Sequence, residues 1–162
     1  MLTPARKETQ QADRRVLIVS SGEKGRTQWE KLLEEGGFRE LGFAASGGEA
    51  RRLLLSGDWD ILVINAPLSD EFGHQLAMDA AEEGYGALLA VKSELWEEVS
   101  ARVSSFGVLT LGKPFSRGIF AQALGLLQAS QAKAEKYRIE NEKLRMKLEE
   151  LRIISRAKCL LV

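Results

Sequence analysis

Three places in this sequence hold the polar side chains from which a chemical site could be built. Lys113 precedes Pro114 at the end of a short apolar run. Two other apolar runs end in the pair Ser20 and Ser21 and in Asn65. In an open parallel sheet, the residues just beyond the carboxyl ends of the strands line the ligand crevice. A lysine beside three acids in such a crevice would form a cation-dependent phosphorylation site, but here the neighbours are two hydroxyls and an amide.

The neutral neighbours exclude that phosphotransfer chemistry. The amide of Asn65 does not become an acyl phosphate, and serine hydroxyls are poor ligands for Mg²⁺ compared with carboxylates. We therefore expect no catalytic residue, no metal and no cofactor, and we expect that the chain is not an enzyme. Two interpretations of Lys113 remain open, a structural hydrogen bond to Asn65 or a surface lysine at a strand end.

The elements that must position these residues follow from the hydrophobic pattern. Short apolar runs alternate with stretches of helical spacing between residues 15 and 115. The runs predict strands at 16–19, 41–45, 61–64, 87–91 and 108–111, and the intervening stretches predict helices at 26–35, 48–56, 74–83 and 95–105. Five alternations of this kind indicate an α/β fold with a doubly wound parallel sheet, for which the flavodoxin-like strand order 2-1-3-4-5 is the leading topology.

A last helix is predicted from about Ser116 to about Cys159, a length of about 65 Å at 1.5 Å per residue. That length exceeds a domain of this size, so we expect the second half to leave it. Its seven-residue repeat places side chains at the a and d positions of a coiled coil, namely Tyr137, Asn141, Leu144, Leu148 and Leu151, with Ala134 and Leu127 continuing the pattern backward.

Leucines with one Asn at an a position favour a parallel two-stranded coil, and Glu140 and Arg145 add an ion pair between the strands. We therefore expect a homodimer. The alternative is a lone amphipathic helix that folds back on its own domain. A second apolar stripe at the f positions, formed by Ile139, Met146 and Ile153, stays unassigned.

The composition bounds the remaining possibilities. The 162 residues fit one domain with an appendage, and the formal net charge of zero implies no bulk attraction to nucleic acid or membrane. From Gln131 onward there are nine Lys or Arg residues against five Asp or Glu, so this C-terminal segment is the part of the chain that we expect to face anions. The single Cys159 allows no internal disulfide, and His74 has no metal-ligand cluster around it. Without a signal peptide or membrane segment, we expect a cytoplasmic protein.

With this pattern assembled, residues 15–127 resemble a response-regulator receiver domain. Ser20 and Ser21 stand where that family has its metal-binding acidic pair, and Asn65 stands where it has the phospho-accepting Asp. The remaining matches are the switch positions Val91 and Thr110, the loop residues Pro67 and Gly73, and the family's Lys-Pro at Lys113 and Pro114, whose peptide bond is cis in that family. The resemblance implies a degenerate receiver that is not phosphorylated.

Residues 153–162, which include Arg156, Ala157 and Lys158, are similar to the start of an ANTAR domain, an RNA-binding transcription antitermination module. The implied organisation is a tail at 1–13, a receiver-like domain at 14–128, a coiled coil at 129–152 and the truncated start of the ANTAR-like helix at 153–162. We therefore expect a dimeric antitermination regulator that binds RNA only in a full-length protein and that responds to a sensor or other partner protein.

One alternative belongs to another functional class. The hydroxyl-rich loop at 20–25 follows the first strand, where flavodoxin-like proteins bind phosphate. The chain would then be a regulatory domain for a small ligand or phosphate. Glu23 opposes that interpretation because its charge repels phosphate.

Overall fold

A computed structural model describes residues 13–160, and the side chains of residues 13–151. Residues 1–12 of the predicted tail lie outside the described residues, as do the side chains of the ANTAR-like segment 153–162. Five parallel strands form one sheet: β1 (Arg15–Val19), β2 (Glu40–Ala44), β3 (Ile61–Asn65), β4 (Gly86–Lys92) and β5 (Leu109–Lys113). Their order is β2-β1-β3-β4-β5, which confirms the predicted topology.

The helices are α1 (Glu23–Glu35), α2 (Gly47–Ser56), α3 (His74–Glu82), α4 (Trp96–Val103) and α5 (Arg117–Leu160). The segment predicted as one helix at 95–105 is split, because 3₁₀ turns at Ser93–Leu95 and Ser104–Phe106 flank a short α4. Gly107 closes the second turn with φ of +85°, a conformation that glycine adopts at little cost. No helix within residues 13–160 is long and apolar enough to cross a membrane.

The central strands are apolar on both faces because each face is covered by helices. Residues 16–19 of β1 and 61–64 of β3 are almost completely buried. One core, on the side of α2, α3 and α4, contains Leu17, Leu62, Leu89 and Val103. The other, on the side of α1 and α5, contains Ile18, Val63, Trp29 and Phe120. Continuous burial of this kind is typical of parallel strands in α/β proteins.

The described residues divide into two compact units, one ending at Leu127 and one beginning at Gln128. In the first unit, Leu127 is 5% exposed and packs in the core with Phe120 and Leu124. The prediction that Leu127 occupies an a position of the coil is therefore wrong. A leucine at this helical spacing suits either a domain core or a coil, and here the sheet has the nearer apolar surface.

Candidate functional site

The carboxyl ends of β1, β3 and β5 bring three of the sequence-derived residues into contact. Lys113 Nζ donates a hydrogen bond to Asn65 Oδ1 over 2.7 Å. The other end of the same amide, Asn65 Nδ2, donates to Ser20 Oγ over 3.2 Å. The amide of Asn65 therefore joins the lysine to the end of β1. Of the two interpretations of Lys113, the structural hydrogen bond is the one present.

Lys113 is a half-buried cation that bonds to neutral oxygens. Besides Asn65, its ammonium donates to the backbone carbonyl of Ala66 over 2.8 Å. Burial lowers the pKa of Lys113 below its ordinary value, and the charge of Lys92, its neighbour in the strand register, lowers that pKa further. The charge of the Lys113 ammonium is thus stabilised by the dipoles of two neutral carbonyl groups and not by a carboxylate.

An aromatic cluster fixes the turn that follows Lys113. The ring of Phe115 lies 5.3 Å from that of Trp29 on α1 and 5.9 Å from that of Phe120 on α5, measured between ring centroids. The peptide bond between Lys113 and Pro114 is cis, as the resemblance implied. Packing of Phe115 against two helices holds the lysine at the mouth of the sheet.

Both serines are used in structural hydrogen bonds. Ser20 is 5% exposed, and its hydroxyl accepts from Asn65 while donating weakly to the carbonyl of Gly22 over 3.4 Å. Ser21 Oγ donates to the carbonyl of Ala45 over 2.9 Å and accepts from the backbone N–H of Ser69 over 2.8 Å. The hydroxyl of Ser21 therefore connects the end of β2 to the loop after β3 by two hydrogen bonds.

The first turn of α1 lies directly on the amide of Asn65. A Cβ built on Gly25 would come within 2.7 Å of Asn65 Nδ2 and 2.8 Å of Ser20 Oγ. Real Cβ atoms do not make contacts this short, so the backbone of α1 approaches the site as closely as glycine allows. Sequence reasoning placed Gly25 in the loop at 20–25, before the helix predicted at 26–35, and so missed this contact, because α1 begins at Glu23.

A clamp formed by α2 and the loop at 67–73 borders the site and was also missed. The carboxylate of Asp70 accepts from the backbone N–H groups of Gly47 over 2.8 Å and Gly48 over 2.9 Å at the start of α2. These two hydrogen bonds lower the pKa of Asp70. Arg51 of α2 pairs with Glu71 over 3.3 Å and with Asp79 of α3 over 2.7 Å. The loop is therefore held by contacts of the chain itself.

The side chains at the two switch positions make no hydrogen bond to Lys113, Asn65 or Ser20. Val91 is completely buried in the core on the side of α2, α3 and α4. Thr110 Oγ1 is, among the described side chains, a buried polar atom without a hydrogen-bond partner. The carbonyl of Thr110 accepts from the indole N–H of Trp96 over 3.0 Å, so α4 covers the outer edge of β5 at this point.

The predicted dimerisation residues all lie on α5 in the second unit. Their side chains are exposed, namely those of Tyr137, Asn141, Leu144, Leu148 and Leu151. The f-position side chains of Ile139 and Met146 are exposed as well. Within residues 13–151, no group of three or more His, Cys, Asp or Glu side chains could hold a metal ion. The described surface thus offers an apolar helix face and a crevice of neutral oxygens.

Comparisons with known proteins agree with this fold. No family model matches the chain, and no curated protein sequence matches it. Solved structures do match. The signal receiver domain of an HD domain-containing protein from Pseudomonas fluorescens Pf-5 has 19% sequence identity and a TM-score of 0.65, covering 77% of this chain and 93% of that chain. A CheY-like response regulator receiver domain protein from Methanospirillum hungatei JF-1 has 20% identity and a TM-score of 0.65, with coverages of 75% and 98%.

A third similar structure is that of adenylate cyclase from Rhodopirellula baltica, with 16% identity, a TM-score of 0.66 and coverages of 78% and 96%. Identities at this level are informative about the fold alone. The strand order of the sheet agrees with the fold of these neighbours. The chain therefore has the fold of a response-regulator receiver domain, followed by a long C-terminal helix.

Proposed function

We propose that this chain is a signalling module built on the receiver fold that works without phosphorylation at Asn65. The observation that carries the proposal is the 2.7 Å hydrogen bond from Lys113 Nζ to Asn65 Oδ1. In a site that received a phosphoryl group, that lysine would be available to an anion. Here its ammonium is bonded to a neutral amide and to a backbone carbonyl.

Three physical features support the proposal. An amide is not a phosphoryl acceptor, and Mg²⁺ requires charged oxygen ligands where Ser20 and Ser21 supply hydroxyls. Those hydroxyls are already bonded within the chain.

We further propose that the module acts as a parallel homodimer through α5 and serves two-component signalling together with a sensor or other partner protein. Asn141 lies within the exposed apolar stripe of α5, and an Asn at that position pairs best with its own copy in register. The RNA-binding output in transcription antitermination rests on the ANTAR resemblance of residues 153–162. It is proposed for a full-length protein only.

The alternative, a small-ligand or phosphate-binding domain that uses the loop at 20–25, is less favoured. The hydroxyls of Ser20 and Ser21 are bonded to carbonyls of the chain, and the start of α1 rests on Asn65. A ligand at this loop would have to displace those contacts. Flavin absorbance in the purified protein, or a bound phosphate at the loop, would favour this alternative.

The test of the proposed function is phosphorylation by a small-molecule phosphodonor in the presence of Mg²⁺, followed by intact mass measurement. The wild type and the single variant Asn65→Asp should show no phosphoryl adduct, because the single variant still lacks acidic cation ligands. The triple variant Ser20→Asp, Ser21→Asp, Asn65→Asp is the matched comparison, with the acidic set restored. A phosphoryl adduct on the wild type that maps to residue 20, 21 or 65 would refute the proposal.

A further inference from the structure

The part of α5 that packs on the sheet also carries an exposed apolar stripe, which is distinct from the f-position stripe farther along the helix. Phe120, Leu124 and Leu127 are buried in the core. Ile119 and Leu126, on the same helix, are 51% and 64% exposed. Large apolar side chains exposed at a seven-residue spacing form a stripe along a helix and not a scattered set.

The spacing relates this stripe to the exposed residues farther along α5. Seven residues separate Ile119 from Leu126, and eleven separate Leu126 from Tyr137. The spacing then returns to seven from Tyr137 to Leu144 and from Leu144 to Leu151. On an α-helix, steps of seven and eleven residues each return to the starting side within about 20°. An unbroken heptad would instead require Leu127, which is buried in the core.

We propose that the dimer seam of α5 begins at Ile119, so that the receiver part of each chain takes part in it, and that it contains a four-residue stutter between Leu126 and Tyr137. The occupant of the stripe is a second copy of this chain. The inference rests on the proposed dimer. It adds the register of the seam and the contribution of the receiver part to it.

Residues within the stutter fit close approach of two identical helices. Steps of four, four and three residues from Leu126 lead through Ser130 and Ala134 to Tyr137. Both intermediate side chains are small, so two backbones can lie near each other there. A stutter of four residues locally unwinds the supercoil, and the left-handed heptad geometry resumes after Tyr137.

Two features favour a second copy over a different partner, and the length of the seam favours its extension to Ile119. Asn141 lies in the same seam, and it finds a matching amide when an identical helix lies parallel and in register. Glu140 and Arg145 stand at the flanking g and e positions, where opposite charges of two copies meet. Between Tyr137 and Leu151 the seam spans about two heptads, fewer than the three to four that a sustained coiled coil shows. Ile119 and Leu126 supply the missing length.

The first test is oxidative cross-linking of full-length chains in a Cys159→Ser background. Leu126→Cys should form an interchain disulfide readily, because facing seam positions come within the reach of a disulfide. The matched control is Ala121→Cys, an exposed position on α5. Residue 121 lies about 140° around the helix from residue 126, at 3.6 residues per turn, and so faces away from the seam. Equal cross-linking at the two positions would overturn the inference.

The second test is sedimentation equilibrium. Leu126→Lys should weaken the dimer at least about tenfold, since a buried leucine in each copy is replaced by a charge. Leu55→Lys is the control, because Leu55 is 88% exposed on α2 and lies outside the seam. If the wild type is a dimer that Leu144→Lys with Leu148→Lys abolishes but that Leu126→Lys leaves unchanged, the extended seam is refuted and the dimer through α5 stands. A monomeric wild type would refute both.

Discussion

Gly25→Ala is the substitution that probes most directly how tightly α1 packs against the side chains of Asn65 and Ser20. Inside a helix, replacing glycine by alanine ordinarily stabilises a protein by about 0.5–1 kcal/mol. At Gly25 the new methyl group would lie 2.7 Å from Asn65 Nδ2 and 2.8 Å from Ser20 Oγ. Overpacking of this kind costs about 1–3 kcal/mol. The expected net effect on the free energy of unfolding is therefore a loss of about 0.5–2 kcal/mol.

The matched control is Gly125→Ala on α5. A Cβ at Gly125 has no heavy atom within 4 Å of its position, so the helix gain should appear undiminished. Gly25→Ala should therefore lower the free energy of unfolding and Gly125→Ala should raise it, so that the two variants differ by about 1–3 kcal/mol. Urea or thermal unfolding followed by circular dichroism measures both, and an unchanged urea m-value shows that the comparison concerns stability alone.

One result would refute the reasoning. If Gly25→Ala were as stabilising as Gly125→Ala, the amide of Asn65 and the hydroxyl of Ser20 would have room to move aside. The close approach of α1 at Gly25 would then not constrain the amide of Asn65.

The other predictions concern the lysine and the helix. The free energy of unfolding of the wild type should rise relative to that of Lys113→Met as the pH is raised toward 10.5, the ordinary pKa of lysine. The folded state lowers the pKa of Lys113, so the folded protein binds fewer protons there than the unfolded protein does. Parallel pH profiles of the two proteins would contradict this. Asn141→Leu should strengthen association but permit trimers or shifted registers, which sedimentation detects. Leu144→Lys with Leu148→Lys should give a monomer whose receiver part stays folded, and retention of the dimer would exclude these leucines from the interface.

The hydrophobic pattern predicted the sheet, because burial on both faces leaves a plain signature. It also placed Lys113 and Asn65 at the same edge, because the carboxyl ends of parallel strands converge, but it left open whether the two side chains bond. The same pattern misplaced Leu127, since helical spacing does not reveal which apolar surface a leucine meets. The close approach of Gly25 and the clamp of Asp70 on Gly47 and Gly48 were missed. Both are contacts between residues distant in sequence, and periodicity carries no information about such pairs.

The indole of Trp96 has a consequence for the outer edge of the sheet. β5 is an edge strand of the sheet, and an uncovered edge offers its backbone groups to strands of other molecules. The hydrogen bond from Trp96 Nε1 occupies the carbonyl of Thr110 on this edge. Because Trp96 already occupies that carbonyl, this point of β5 offers one acceptor fewer to a strand of another molecule.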